Sequence, residues 1–132
     1  MSTNPFDPLA LPPIAFIGGG NMAAAIIGGL IRQGLPPADI DVVEPLAEAR
    51  ERLLATHRIK ALEKPSDALK RAGVVVWAVK PQILAEVAGQ VAPFTSNALH
   101  MSVAAGIRTG SIAQWLGTDR IVRAMPNTPA LV

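Results

Sequence analysis

Three consecutive glycines, Gly18-Gly19-Gly20, separate the apolar run Ile14-Ala15-Phe16-Ile17 from an Ala-rich stretch, Met22 to Gln33, and this junction narrows the choice of fold more than any other feature. The run before the glycines reads as a buried parallel strand; the stretch after them reads as a helix closed by Gly34, with Pro36 and Pro37 beyond. Gly18-x-Gly20-x-x-Ala23 is a weak pattern alone, but between a strand and a helix it becomes a dinucleotide-binding fingerprint. Gly18 permits the tight turn, Gly20 keeps a side chain away from a pyrophosphate, and Ala23 is small enough for close helix-to-strand packing. Asn21 and Met22 open the helix, whose free N–H groups and positive dipole end favour phosphate. The competing reading is a glycine-rich turn that binds nothing.

The rest of the chain repeats the strand–helix alternation. Ile40-Asp-Val-Val43 is a second strand, and Pro45 to His57 an amphipathic helix with Leu46, Ala49, Leu53 and Leu54 on its inner face. Ile59-Lys-Ala-Leu62 predicts a weak third strand, followed by a short helix from Asp67 to Arg71 capped by Ser66. Val74 to Val79 is the clearest strand, ended by Pro81, and Ile83 to Val91 the next helix. Ala98–Val103 is a fifth strand, Ser111 caps a helix running to Leu116, and Arg120–Ala124 is a sixth strand. This order predicts an α/β, Rossmann-type doubly wound, mainly parallel sheet of about six strands with helices on both faces.

Length and composition agree with one such domain. The chain has 132 residues, half of them apolar and 17% charged, enough for one covered sheet and too few for two ordinary domains. Residues 1–13 read as a flexible, Pro-rich lead-in without the basic and apolar regions of a signal peptide, and residues 14–132 as the Rossmann domain. There is no cysteine, which excludes disulfides and thiolate catalysis and fits a cytoplasmic setting. A net charge of +2 without a basic stripe argues against nucleic acid. Ile14 to Ile31 is long enough and apolar enough to imitate a membrane span, but its glycines and Asn21 divide it, so no membrane association is expected.

Two charged residues fall where a nucleotide site needs them. Glu44 ends the second strand, where a carboxylate accepts hydrogen bonds from the adenosine ribose. It would repel a 2′-phosphate by roughly 1–4 kcal/mol depending on local dielectric, which tips the expected preference towards NADH. No arginine follows immediately, although Arg50 can approach from the next helix; the plainer alternative for Glu44 is a surface carboxylate at a helix N-terminus. Lys80 follows the strongest strand and is either a contact to the nicotinamide ribose or amide, or a solvated lysine. His57 and His100 have no metal-ligand spacing, no metal site is expected, and no nucleophile motif occurs.

Four segments go beyond a generic nucleotide fold: Phe16-Ile-Gly-Gly-Gly-Asn-Met-Ala23, Ala78-Val-Lys-Pro-Gln82, Ser102-Val-Ala-Ala-Gly-Ile107 and Arg123-Ala-Met-Pro-Asn-Thr-Pro-Ala130. In this order and spacing, from about Ile14 to the end of the chain, the sequence closely resembles the pyrroline-5-carboxylate reductases, which complete proline biosynthesis. The resemblance implies hydride transfer from NADPH or NADH to the C=N carbon of 1-pyrroline-5-carboxylate, a cyclic imino acid, giving L-proline. A protonated imine carries its own activation, so the protein chiefly aligns the reactants. The resemblance also implies cofactor contacts from Gly18, Gly20, Asn21, Met22, Ala23, Glu44, Ala78, Val79, Lys80, Pro81, Ala104, Ala105 and Gly106, with Asn127 and Thr128 near substrate and no residue assigned outright as catalytic.

Two departures qualify the match. Family members often carry an asparagine on the adenosine side where this chain has Lys64-Pro65-Ser66, leaving Ser66 as the substitute. The family also has a C-terminal helical domain that forms the dimer and much of the substrate pocket. Here the sequence stops at Val132 without it, so the chain is expected to be the cofactor half of a homo-oligomeric enzyme built on dimers, inactive alone. The alternatives are the cofactor domain of a related imine or hydroxyacid reductase, and a non-catalytic dinucleotide-binding module.

Overall fold

Short β-branched and apolar runs give strands, and here they make one parallel sheet. The computed structural model describes residues 12–103 and 121–123. Its strands are β1 (Ile14–Ile17), β2 (Ile40–Val43), β3 (Val74–Trp77), β4 (Leu99–Ser102) and β5 (Ile121–Arg123), in the order β2-β1-β3-β4-β5 with every pair parallel. Three helices cross between them: α1 (Asn21–Arg32), α2 (Ala47–His57) and α3 (Pro81–Val91). Among the described residues no helix is long and apolar enough to cross a membrane.

Alternation along each strand supplies both faces of the sheet. Ile14 and Phe16 of β1 join Ala23, Ile27 and Leu53 in a core under α1 and α2, while Ala15 and Ile17 join Val75, Trp77, Leu84 and Val91 under α3. Both faces are buried, as the continuous apolar character of β1 and β3 requires. Gly34, at φ +106, ends α1 in a conformation that favours glycine. Ser66 caps the turn Asp67–Arg71, which is a 3-10 helix rather than an α-helix.

Three expectations need correction. Ile59–Leu62 forms no strand: only Leu62 pairs, by a single parallel bridge to Val43 with two hydrogen bonds of 2.7 Å. Ile59 leaves the left-handed Arg58 (φ 58) to enter the core under α2, and Glu63-Lys64-Pro65 then turns the chain away, so no pairing length remains. The described sheet therefore has five strands and not six. With Leu62 marking the outermost position, its order is that of a Rossmann sheet. In α2 only Ala49 and Leu53 are buried; Leu46 and Leu54 are 66% and 53% exposed, so the inner stripe is half as wide as the periodicity suggests. Pro45 precedes the helix, whose N-cap is Leu46.

One histidine is part of the core. His100 of β4 is 1% exposed, and its Nδ1 accepts a hydrogen bond of 3.0 Å from Trp77 Nε1 of β3. Burial lowers its pKa below the ordinary histidine value, against a smaller opposing effect from a hydrogen bond to the Thr95 backbone. The unfolded chain therefore takes up a proton near pH 6.5 that the folded chain refuses. Stability is then full above that pH and falls as pH drops towards the folded value. Urea unfolding at pH 7.5 and 5.5 checks this: the loss at the lower pH should shrink in His100→Gln. An equal loss in both proteins would show that His100 is not its source.

Candidate functional site

A doubly wound sheet opens a crevice where successive crossovers leave a shared strand in opposite directions. Here that point is the carboxyl end of β1 and β3, because the chain goes from β1 to β2 on one side and returns to β3 on the other. A cleft of about 570 Å³ lies there. It is lined by Ile17, Gly18 and Gly20 of the glycine loop, by apolar side chains including Leu46, Val79, Ile83 and Val87, and by the charged residues Glu44, Glu63, Lys64 and Lys80.

The three glycines do different work. Gly18 sits at φ +100, and a Cβ there would lie 2.5 Å from Ala78 O and 2.7 Å from Val79 Cγ1, so both conformation and space demand glycine. Hydrogen bonds of 2.9 Å from Gly18 N–H to Val43 O and from Ala78 N–H to Ile17 O lace the ends of β1, β2 and β3 together. Gly19 has no space for a side chain either, with Leu53 Cδ1 at 2.8 Å, and its N–H donates to Glu44 Oε1 at 2.8 Å. Gly20 is unlike both. It is the N-cap of α1 with ordinary extended dihedrals, and a Cβ built on it meets nothing within 4 Å. The fold gives no reason for a glycine there. No side chain caps α1, so its first-turn N–H groups have no side-chain acceptor.

The other predicted residues divide into four groups. Glu44, Ala78, Val79 and Lys80 all line the cleft, and Lys80 and Pro81 begin α3 as its N-cap and first residue. Asn21 lies beside Gly19 and Gly20 at the start of α1, Met22 is half-exposed, and Ala23 is fully buried against the strands. Ser66 is not among the cleft residues: its hydroxyl accepts from Ala68 N–H at 3.3 Å to cap its own turn, and Lys64 and Pro65 line the cleft instead. Ala104, Ala105, Gly106, Asn127 and Thr128 lie outside the described residues. Among the described residues no group of His, Cys, Asp or Glu could hold a metal ion.

Comparison with known proteins places the chain in a family. Residues 13–106 match the family described as NADP oxidoreductase coenzyme F420-dependent. The chain belongs to this family. It is 46% identical over 94% of its length to a pyrroline-5-carboxylate reductase of Pseudomonas aeruginosa, of which it covers 46%. The solved pyrroline-5-carboxylate reductase of Coxiella burnetii superposes with a TM-score of 0.82 at 37% identity, over 91% of this chain and 46% of that one. A Plasmodium falciparum pyrroline carboxylate reductase, solved with NADP bound, shares the fold at TM-score 0.74 and 24% identity, over 91% of this chain and 44% of that one. The chain thus spans about half the length of the relatives it matches.

What the sequence left unmarked is the bond from Gly19 to Glu44 and the apolar wall from α3. Ile83 and Val87 carried no signal, because a helix residue lining a cleft looks like one lining a core.

Proposed function

We propose that this chain binds NADPH or NADH across the Gly18–Gly20 loop and serves as the cofactor-binding half of a pyrroline-5-carboxylate reductase, making L-proline. The observation that carries the reading is Gly20, a glycine with open space above it at the mouth of the cleft and an uncapped helix behind it. The similarity to named reductases supplies the reaction class. When bound, the reduced nicotinamide supplies the hydride for the imine carbon.

The chain's own residues bind and orient. Gly18 and Gly20 admit the pyrophosphate to the α1 N-terminus, and Val79 and Lys80 carry the loop after β3 to the same edge. By resemblance to the reductases, Ala104, Ala105 and Gly106 are assigned to the cofactor, and Asn127 and Thr128 to the substrate. The substrate is a small cyclic imino acid, the setting cytoplasmic, and the complete enzyme a homo-oligomer.

Mixing the chain with NADPH or NADH and 1-pyrroline-5-carboxylate tests this. Dinucleotide fluorescence should report binding while proline formation stays at background. Proline formation at enzyme-like rates would show that the chain is more than a cofactor half, and failure to bind either dinucleotide would overturn the reading.

A further inference from the structure

We infer that Arg50 is the residue that decides whether a 2′-phosphate is accepted, while Glu44 positions the glycine loop and does not discriminate between NADH and NADPH; this rests on the dinucleotide reading above. Glu44 is 8% exposed, and each of its oxygens is engaged by a backbone donor: Oε1 by Gly19 N–H at 2.8 Å, Oε2 by Leu46 N–H at 2.9 Å. The first bond ties the turn after β2 to the loop after β1. Gly19 sits tightly packed there, with Leu53, Glu44 and Val42 all within about 3.2 Å of where a Cβ would lie. A carboxylate bonded in this way has its charge spread over inward-facing N–H groups and its orientation set by them. It is a brace between two loops.

Arg50, in the first turn of α2, is fixed at the same turn from outside. Its Nη1 donates to Glu44 O at 2.9 Å and Pro45 O at 2.7 Å, the two carbonyls that the end of β2 leaves over. Both bonds use one nitrogen, and among the described residues Nη2 and Nε make none. Arg50 lines, with Glu51, Leu54 and Lys60, a shallow groove separate from the cleft. Arg50 does not itself line the cleft, but its guanidinium is held by one corner to Glu44 and Pro45, which do. The rest of its donor fork is left for an anion reaching past that turn, and an arginine fork matches phosphate geometry. The 2′-phosphate is the group by which NADPH differs from NADH. The arrangement therefore favours NADPH, reversing the preference that a lone carboxylate after β2 suggests.

Titrating NADPH and NADH separately into the chain, with dinucleotide fluorescence as readout, tests the assignment. Arg50→Met should lower the NADPH-to-NADH affinity ratio about tenfold, the loss expected for one charge-assisted hydrogen bond, and Arg50→Lys should recover part of it. Glu44→Gln should weaken both dinucleotides together, moving the ratio by less than about threefold, since it loosens the loop that both share. Thermal melting of each variant confirms that it folds. An unchanged ratio in Arg50→Met, or a tenfold gain for NADPH in Glu44→Gln, overturns the assignment while leaving dinucleotide binding in place. Failure of the unaltered chain to bind either dinucleotide overturns both.

Discussion

Gly18→Ala is expected to destabilise the chain by roughly 2–5 kcal/mol, adding the cost of a left-handed backbone to that of overpacking. The new methyl group would arrive 2.5 Å from Ala78 O and 2.7 Å from Val79 Cγ1, at φ +100. Neither side can yield easily. Ala78 is held by its N–H bond to Ile17 O, and Gly18 by its own to Val43 O, so relief at one strand end breaks a bond at another. Domains of this size are stable by about 5–15 kcal/mol, so the loss is a large share of the total. Urea unfolding measures it directly, and a midpoint equal to that of the unaltered chain would mean that the loop after β1 is far more pliant than its bonds imply.

Gly20 is the counterpart, and the contrast between the two glycines separates folding from binding. Its dihedrals (φ -79, ψ -162) are those of an ordinary N-cap, and serine is a better N-cap than glycine. Gly20→Ser should therefore leave stability unchanged or raise it by a few tenths of a kcal/mol, roughly the gain measured for such caps. The same hydroxyl would occupy the space in front of α1 and take up a first-turn N–H that an anion needs. A substitution that is neutral or helpful for the fold is expected to be severe for the ligand.

How far each feature could be read from sequence follows from where its cause lies. The β1–α1 unit, β3 and α3 were legible because their periodicity and glycine signals are local. The parallel, doubly wound character of the sheet followed from the alternation of elements; the strand order came only from the structure. Ile59–Leu62 was misread because pairing length depends on where the chain turns at Glu63-Lys64-Pro65, which strand propensity does not register. Leu46 and Leu54 belong to the apolar pattern of α2, yet both remain more than half exposed, because the buried contact of that helix is made by Ala49 and Leu53. At the site, residue positions were legible and side-chain directions were not. Glu44 was correctly placed after β2, but its bond to Gly19 joins residues 25 apart in sequence and exists only once both loops meet. The same holds for Trp77 and His100, 23 apart, whose hydrogen bond depends on β3 and β4 lying side by side.

The most direct measurement is a pair of NADPH fluorescence titrations, on the unaltered chain and on Gly20→Ser, with thermal melting of both. Binding at the glycine loop predicts an equal or slightly higher Tm for the variant and an affinity for NADPH at least about tenfold weaker, as expected when a ligand loses one charge-assisted hydrogen bond and the space beside it. Equal affinity in the two proteins would contradict it, placing any bound dinucleotide somewhere other than the open face of Gly20.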